Sequence, residues 1–167
     1  TLSDDIAKHV LKWTDTNFVQ YTWFDRGSDE RQYCSPGIDL PIASILRTKY
    51  GKYPEYHTSL DDLVLVTPSG LEGGYNALRS AIKIIEKNVY LITTVIGEPQ
   101  LGKRGLYPTL STKHPSQSTR TMMNLISYCD GQHSLLEIAE LIKEPFWDLL
   151  PMVKTLQENE LVGYINV

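Results

Sequence analysis

The feature that most restricts the fold is the segment GEPQLGKRGLYPTLSTKHP, residues 97–115. Gly97, Gly102, Gly105, Pro99, Pro108 and Pro115 all fall within it. Each glycine weakens a helix or strand by about 0.5–1 kcal/mol, and each proline removes a backbone donor. A segment interrupted so often reads as a linker or extended arm. The chain therefore divides into residues 1–97, an arm over 98–115, and residues 116–167.

The first part alternates element types. Ser3 is placed to cap a helix over Asp4–Trp13, with Asp4 and Asp5 at the positive end of its dipole and Ile6, Val10 and Trp13 on one face. Phe18–Phe24 alternates aromatic and β-branched residues with polar ones, the pattern of a strand. The loop GSDERQYCSPG (27–37) follows, then a second strand around Ile42, Ala43 and Ile45, then the loop PEYHTSLDD (54–62). Thr67 and Pro68 open a helix that runs to about Asn88. Its apolar stripe is Leu71, Leu78, Ala81, Ile82 and Ile85. Val89–Ile96 is a dense β-branched run and reads as a buried strand. The order helix, strand, strand, helix, strand predicts an α/β layered domain, and an incomplete one.

The pattern changes after Ser116. Thr119–Cys129 is helical in pattern, Asp130-Gly131 is a turn, and Ser134 with Glu137 has capping-box spacing. Pro145 opens another helix through Gln157, and Leu161–Ile165 ends the chain in a short strand. Three helices followed by a strand predict a small winged helix-turn-helix domain.

Charge argues against nucleic acid as its partner. The whole chain carries a net −4, and residues 112–167 hold four Lys/Arg against seven Asp/Glu, a net of −3. The candidate recognition helix has Lys154 as its only base, beside Asp148, Glu158 and Glu160. Phosphate contacts supply most non-specific DNA affinity, and such a surface repels phosphate. Phe146, Trp147, Leu149, Leu150, Met152 and Val153 point instead to a packing surface, against the first domain or against a second subunit in a homo-oligomer. No apolar run approaches the ~20 residues that span a bilayer, so no membrane partner is expected. Cys34 and Cys129 read as free thiols of a reducing cytoplasm. Lys103 and Arg104 read as solvated charges on the arm, or as a basic loop reaching a substrate carboxylate or phosphate.

The candidate chemistry sits in two loops that follow candidate strands. Ser28-Asp29-Glu30 lies in the first and Tyr56-His57-Thr58 in the second. Ligands in open α/β sheets gather in loops at the carboxyl ends of strands. Asp and His both bind zinc. On spacing alone, His57 is a metal ligand, a catalytic base or an ordinary loop histidine, and Asp29 is a ligand or an Asx-turn residue. Cys34 has no neighbouring histidine to activate it as a nucleophile.

Together, GSDERQYCSPG, YPEYHTSLDD, GEPQLGKRGLYPT and the final segment resemble the last part of the di-zinc aminopeptidases of peptidase clan MH. The resemblance is to a bacterial aminopeptidase-like branch that ends in a winged helix. It implies that Asp29 binds one zinc and His57 the other. Asp61 closes the His-Thr-x-x-Asp loop and orients it. Tyr56 faces substrate. From its position beside Asp29 and Glu30, Arg31 reads either as shaping the pocket or binding substrate polar groups, or as packing and bonding within its own loop. Many relatives carry histidine where Glu30 stands.

The resemblance also implies what must come from elsewhere: an earlier histidine, a bridging aspartate, a glutamate base and a further acidic ligand. Only 28 residues precede Asp29, and their His9, Asp4, Asp5, Asp15 and Asp25 lack the family context. Two zinc ions roughly 3.5–4 Å apart need several ligands to hold them. The expectation is therefore the C-terminal portion of a zinc aminopeptidase-like hydrolase that cleaves a small peptide-like substrate or a related amide. Residues 1–167 alone are expected to be inactive. The chain opens on Thr1, not Met, which fits a piece of a longer product. A non-catalytic interaction module on the same scaffold is the alternative, and a transcription regulator a third reading that the acidic tail disfavours.

Overall fold

The computed structural model describes residues 1–106 and 117–165. The chain forms two units, Thr1–Ile85 and Glu86–Val167.

In the first unit, helix α1 spans Leu2–Thr14. Its cap is Thr1 rather than Ser3. The Thr1 hydroxyl accepts from the Asp4 N–H at 3.3 Å, and the Asp4 carboxylate accepts from the Thr1 amino group at 3.1 Å. Ser3 instead donates to the Pro41 carbonyl. Ile6, His9 and Val10 are buried, while Trp13 lies at the exposed edge of the helix.

A single turn, α2, spans Glu30–Tyr33, and α3 spans Pro68–Lys87. The Thr67 hydroxyl accepts from the Gly70 N–H at 3.2 Å and starts α3 where the sequence places it. Its buried residues are Ala77 and Ile84. The expected core stripe is not the buried face: Leu71, Leu78, Ile82 and Ile85 are exposed.

Neither strand expected in this unit forms among the described residues. Residues 18–22 and 39–46 carry no regular structure, and Trp23–Asp25 is a 3-10 turn. The bonds near the second segment are local, from Leu40 N–H to the Tyr33 carbonyl at 2.8 Å and from Ile42 N–H to the Leu40 carbonyl at 2.9 Å. A ladder needs a neighbouring strand to exchange bonds with. The described residues of this unit offer none, so the alternating pattern lies on unpaired backbone.

The second unit holds the only sheet among the described residues. Its elements are β1 (Tyr90–Thr93), α4 (Gln117–Ser127), β2 (Asp130–Ser134), α5 (Leu135–Ile142), α6 (Phe146–Glu158) and β3 (Val162–Ile165). The sheet is antiparallel in the order β2-β1-β3. Tyr90 pairs with Ser134 on one side and Ile165 on the other, which makes β1 the central strand. The strand expected over 89–96 therefore exists, but it belongs with the winged helix and not with the domain before it. The expected arm begins with a 3-10 turn, Leu101–Arg104, anchored by a fully buried Leu101. Residues 107–115 of the arm lie outside the described residues.

The Ser134 capping box forms as expected: its hydroxyl accepts from Glu137 N–H at 3.3 Å, and the Glu137 carboxylate accepts from Ser134 N–H at 2.7 Å. Leu91, Leu125, Leu135, Ile138, Phe146, Leu149, Leu156 and Leu161 are completely buried. Each contributes about 1.5–3 kcal/mol by leaving water. Phe146, Leu149 and Val153, expected to form a docking surface, are buried core residues on α6. No helix among the described residues is long and apolar enough to cross a membrane.

Candidate functional site

One carboxylate ties the Asp29 loop to Tyr50, just ahead of the second loop. Glu30 Oε1 accepts from the Gly27 N–H at 2.8 Å, the Ser28 N–H at 3.1 Å and the Tyr50 hydroxyl at 3.2 Å. The turn before α2 aims both N–H groups at the side chain that follows them. Gly27 permits this, because a Cβ there would stand 2.6 Å from Tyr50 Cε2. Burial pushes the Glu30 carboxyl up, but the N–H groups of Gly27, Ser28 and Glu30 itself, with the Tyr50 hydroxyl, outweigh it and hold it at about 2. Burial, the hydrogen bond to Glu30 and its charge all push the Tyr50 phenol up. The charge of Arg31 acts on Tyr50 in the opposite sense.

From Tyr50 an aromatic path runs to the second loop. The Tyr50 and Tyr56 ring centroids are 6.2 Å apart, and Tyr53 meets Tyr56 edge-on at 5.6 Å. Tyr56 stacks on His57 at 4.0 Å with the planes 17° apart. His57 sits at φ 59°, in the left-handed region, and is exposed. Such a backbone costs a non-glycine residue of order 1–3 kcal/mol and persists only where its surroundings fix it. Here the ring stack and the Thr58 bonds do so: Thr58 Oγ1 donates to the Glu55 carbonyl at 2.8 Å and accepts from Leu60 N–H at 3.2 Å.

Asp29 is exposed, opens α2 in helical geometry and caps nothing with its side chain. Asp61 is exposed as well. Burial raises the Tyr53 phenol, and the Asp61 charge adds to that. Thr58 makes the side-chain bonds beside His57, and Asp62 Oδ1 accepts from the Val64 N–H at 2.8 Å at the end of the loop. Among the described residues no group of three or more His, Cys, Asp or Glu could hold a metal. The described residues thus do not by themselves supply the ligand set of a zinc centre.

An open cleft of about 960 Å³ lies within the first unit, with Glu30 and Tyr50 in its wall. Lys49 Nζ lies 4.2 Å from the Tyr50 ring centroid and 5.3 Å from that of Tyr21, and the Arg26 guanidinium lies 4.6 Å from the Trp23 ring. Both cations are thus held on aromatic faces. Sequence reasoning missed Tyr50, Tyr53 and Lys49. The regular spacing of Tyr50, Tyr53 and Tyr56 is the signal that marks them. Cys34 Sγ donates to the Ile42 carbonyl at 3.7 Å. Cys129 is buried, and burial with the Asp130 charge pushes its thiol up to about 12, which leaves it inert.

Residues 1–88 match the family described as "Domain of unknown function (DUF4910)". The chain belongs to that family. After the DUF4910 part, residues 88–163 match a winged helix-turn-helix family, which agrees with β1 as a strand of the second unit. A Clostridium acetobutylicum protein named "Putative polysaccharide biosynthesis protein with aminopeptidase-like domain" is 39% identical over 139 residues, 81% of this chain and 32% of its own length. A crystal structure of a "putative peptidase" from the same organism superposes with a TM-score of 0.80 at 33% identity, over 97% of this chain and 36% of that one. The chain spans about a third of the length of these relatives. Its fold is that of the corresponding part of a peptidase-like protein, followed by a winged helix.

Proposed function

We propose that this chain is the C-terminal portion of a zinc-dependent aminopeptidase-like hydrolase acting on peptide or related amide bonds. The observation that carries the reading is the path Glu30–Tyr50–Tyr56–His57, which links the loop of Asp29 to the loop of His57. The relatives' names supply the reaction class. Asp29 and His57 contribute two of the zinc ligands, and both side chains are exposed and open to further partners. The other ligands and the general base come from the remainder of a longer polypeptide. Glu30 holds the Asp29 loop, and Tyr56 fixes the plane of the His57 ring. Asp61 closes and orients the His57 loop, Tyr56 faces the peptide-like substrate, and Arg31 shapes the pocket or binds the substrate's polar groups. The winged helix serves packing or oligomerisation, and its acidic balance disfavours nucleic acid.

The test is the metal content of the full-length natural protein beside its Asp29→Ala and His57→Ala variants. Close to two zinc ions in the parent, and loss in both variants, is the expected result. A parent that stays metal-free after incubation with zinc overturns the reading. That result would favour a second one, a non-catalytic interaction module, which the commitment of Glu30 to loop-holding bonds also fits.

A further inference from the structure

Helix α3 has two apolar faces, and only one is covered. At about 100° per residue, Leu71, Tyr75, Leu78, Ile82 and Ile85 fall within an arc of about 80°. All five are more than half exposed, at 64%, 64%, 53%, 55% and 60%. Ala77 and Ile84, on a neighbouring face, are buried. Glu72, Arg79, Lys83 and Glu86 occupy the remaining side. A surface helix has a single apolar stripe toward its core. One covered face beside one bare Leu/Ile/Tyr face is the pattern of a helix packed from two directions, and folded monomers rarely leave so continuous a patch in water.

We infer that the bare face of α3 is the seat of the remainder of a longer peptidase-like polypeptide, which covers it with an apolar layer of its own. The inference rests on reading this chain as a portion of such a protein. The solved relative carries the argument for the occupant. It reproduces 97% of this chain, yet this chain makes up only 36% of it. A protein of that fold therefore brings roughly two further thirds of chain to the same framework. The unpaired segments 18–22 and 39–46 agree with this. They keep a strand-like pattern, expose Val19, Ile42 and Leu46, and have no ladder partner among the described residues. A sheet in the remainder supplies both missing elements, a face for the stripe and edges for the segments.

The experiment compares residues 1–167 with the full-length natural gene product. Leu78→Asp combined with Ile82→Asp is introduced into both, with Lys83→Asp on the charged face as control. The double substitution is expected to lower the Tm of the full-length protein by about 10 °C or more, to leave that of residues 1–167 within a few degrees, and the control to shift neither. Should the full-length variant fail to fold, Leu78→Cys in a Cys34→Ser background gives a second readout. A polar maleimide is expected to label it at least about tenfold more slowly in the full-length protein than in residues 1–167. Equal labelling rates and equal Tm shifts overturn the inference. So does a self-association of residues 1–167 that the double substitution abolishes while the full-length protein is unaffected, which assigns the face to a second copy. Zinc content is measured on the same samples. Loss of zinc chemistry with the Tm difference intact sinks the metal reading alone, and the reverse sinks the docking reading alone.

Discussion

Tyr50 donates its hydroxyl to the Glu30 carboxylate at 3.2 Å across 20 positions of sequence, and this bond ties the Asp29 loop to the segment that leads into the His57 loop. Tyr50→Phe removes only the donor and should lower stability slightly. Glu30→Ala should cost more, because it also strands the Gly27 and Ser28 N–H groups. Urea unfolding followed at the tyrosines checks the order. A Glu30→Ala protein as stable as Tyr50→Phe would show that the turn does not depend on the carboxylate.

Acid should weaken the same junction. The Glu30 carboxyl is held at about 2, below its ordinary value of 4.5. A depressed carboxyl adds stability that is complete above the ordinary value and is lost as pH falls through the depressed one. The difference in urea midpoint between the parent and Glu30→Gln should therefore be constant above pH 5 and shrink between about 4.5 and 2. Asp4 and Asp130 are also lowered, by side-chain and backbone hydrogen bonds respectively, and the Gln variant separates them from Glu30. A midpoint difference that does not change with pH would count against the role given to Glu30.

Gly27→Ala tests the close approach of Tyr50. The new methyl would stand 2.6 Å from the ring, so the ring must move, at a cost of about 1–3 kcal/mol. A changed near-UV circular dichroism spectrum is the expected signature. Gly37→Ala is a weaker perturbation of a different kind, since nothing crowds that site and only its φ of 89° resists a side chain.

In the winged helix, Phe146→Ala should cost about 3–5 kcal/mol, because the ring is completely buried. Ser134→Ala should cost about 1 kcal/mol through loss of the cap on α5. Chemical denaturation of both variants checks the ratio. Equal losses would mean that burying the Phe146 ring on α6 stabilises this unit no more than the cap on α5 does.

The elements that the sequence disclosed were those set by near neighbours. Ser134 and Glu137, or Thr67 and Pro68, carry their own start signals within one helical turn. The elements it misplaced depend on distant partners. Phe18–Phe24 has a strand's alternation, but alternation is not pairing. Val89–Ile96 is a strand, yet only its ladder with Asp130–Ser134 and Val162–Ile165 shows which body it serves. The stripe on α3 was legible as apolar, whereas the face buried within this chain is the one holding Ala77 and Ile84. At the site, Asp29 and His57 stand out as candidates from their loops alone. For Tyr50 the sequence carries only its regular spacing with Tyr53 and Tyr56, because its tie to Glu30 crosses the intervening segment.

The position of β1 also governs where this protein can be cut. Glycine and proline content invites a scissor mark at Gly97, and a fragment opening there would carry both outer strands without the one between them. Since among the described residues β2 and β3 each pair only with β1, such a fragment would own two rails and no sleepers. The workable seam lies upstream, near Ile85 and Glu86, in the last turn of a helix where composition gives no hint of a border.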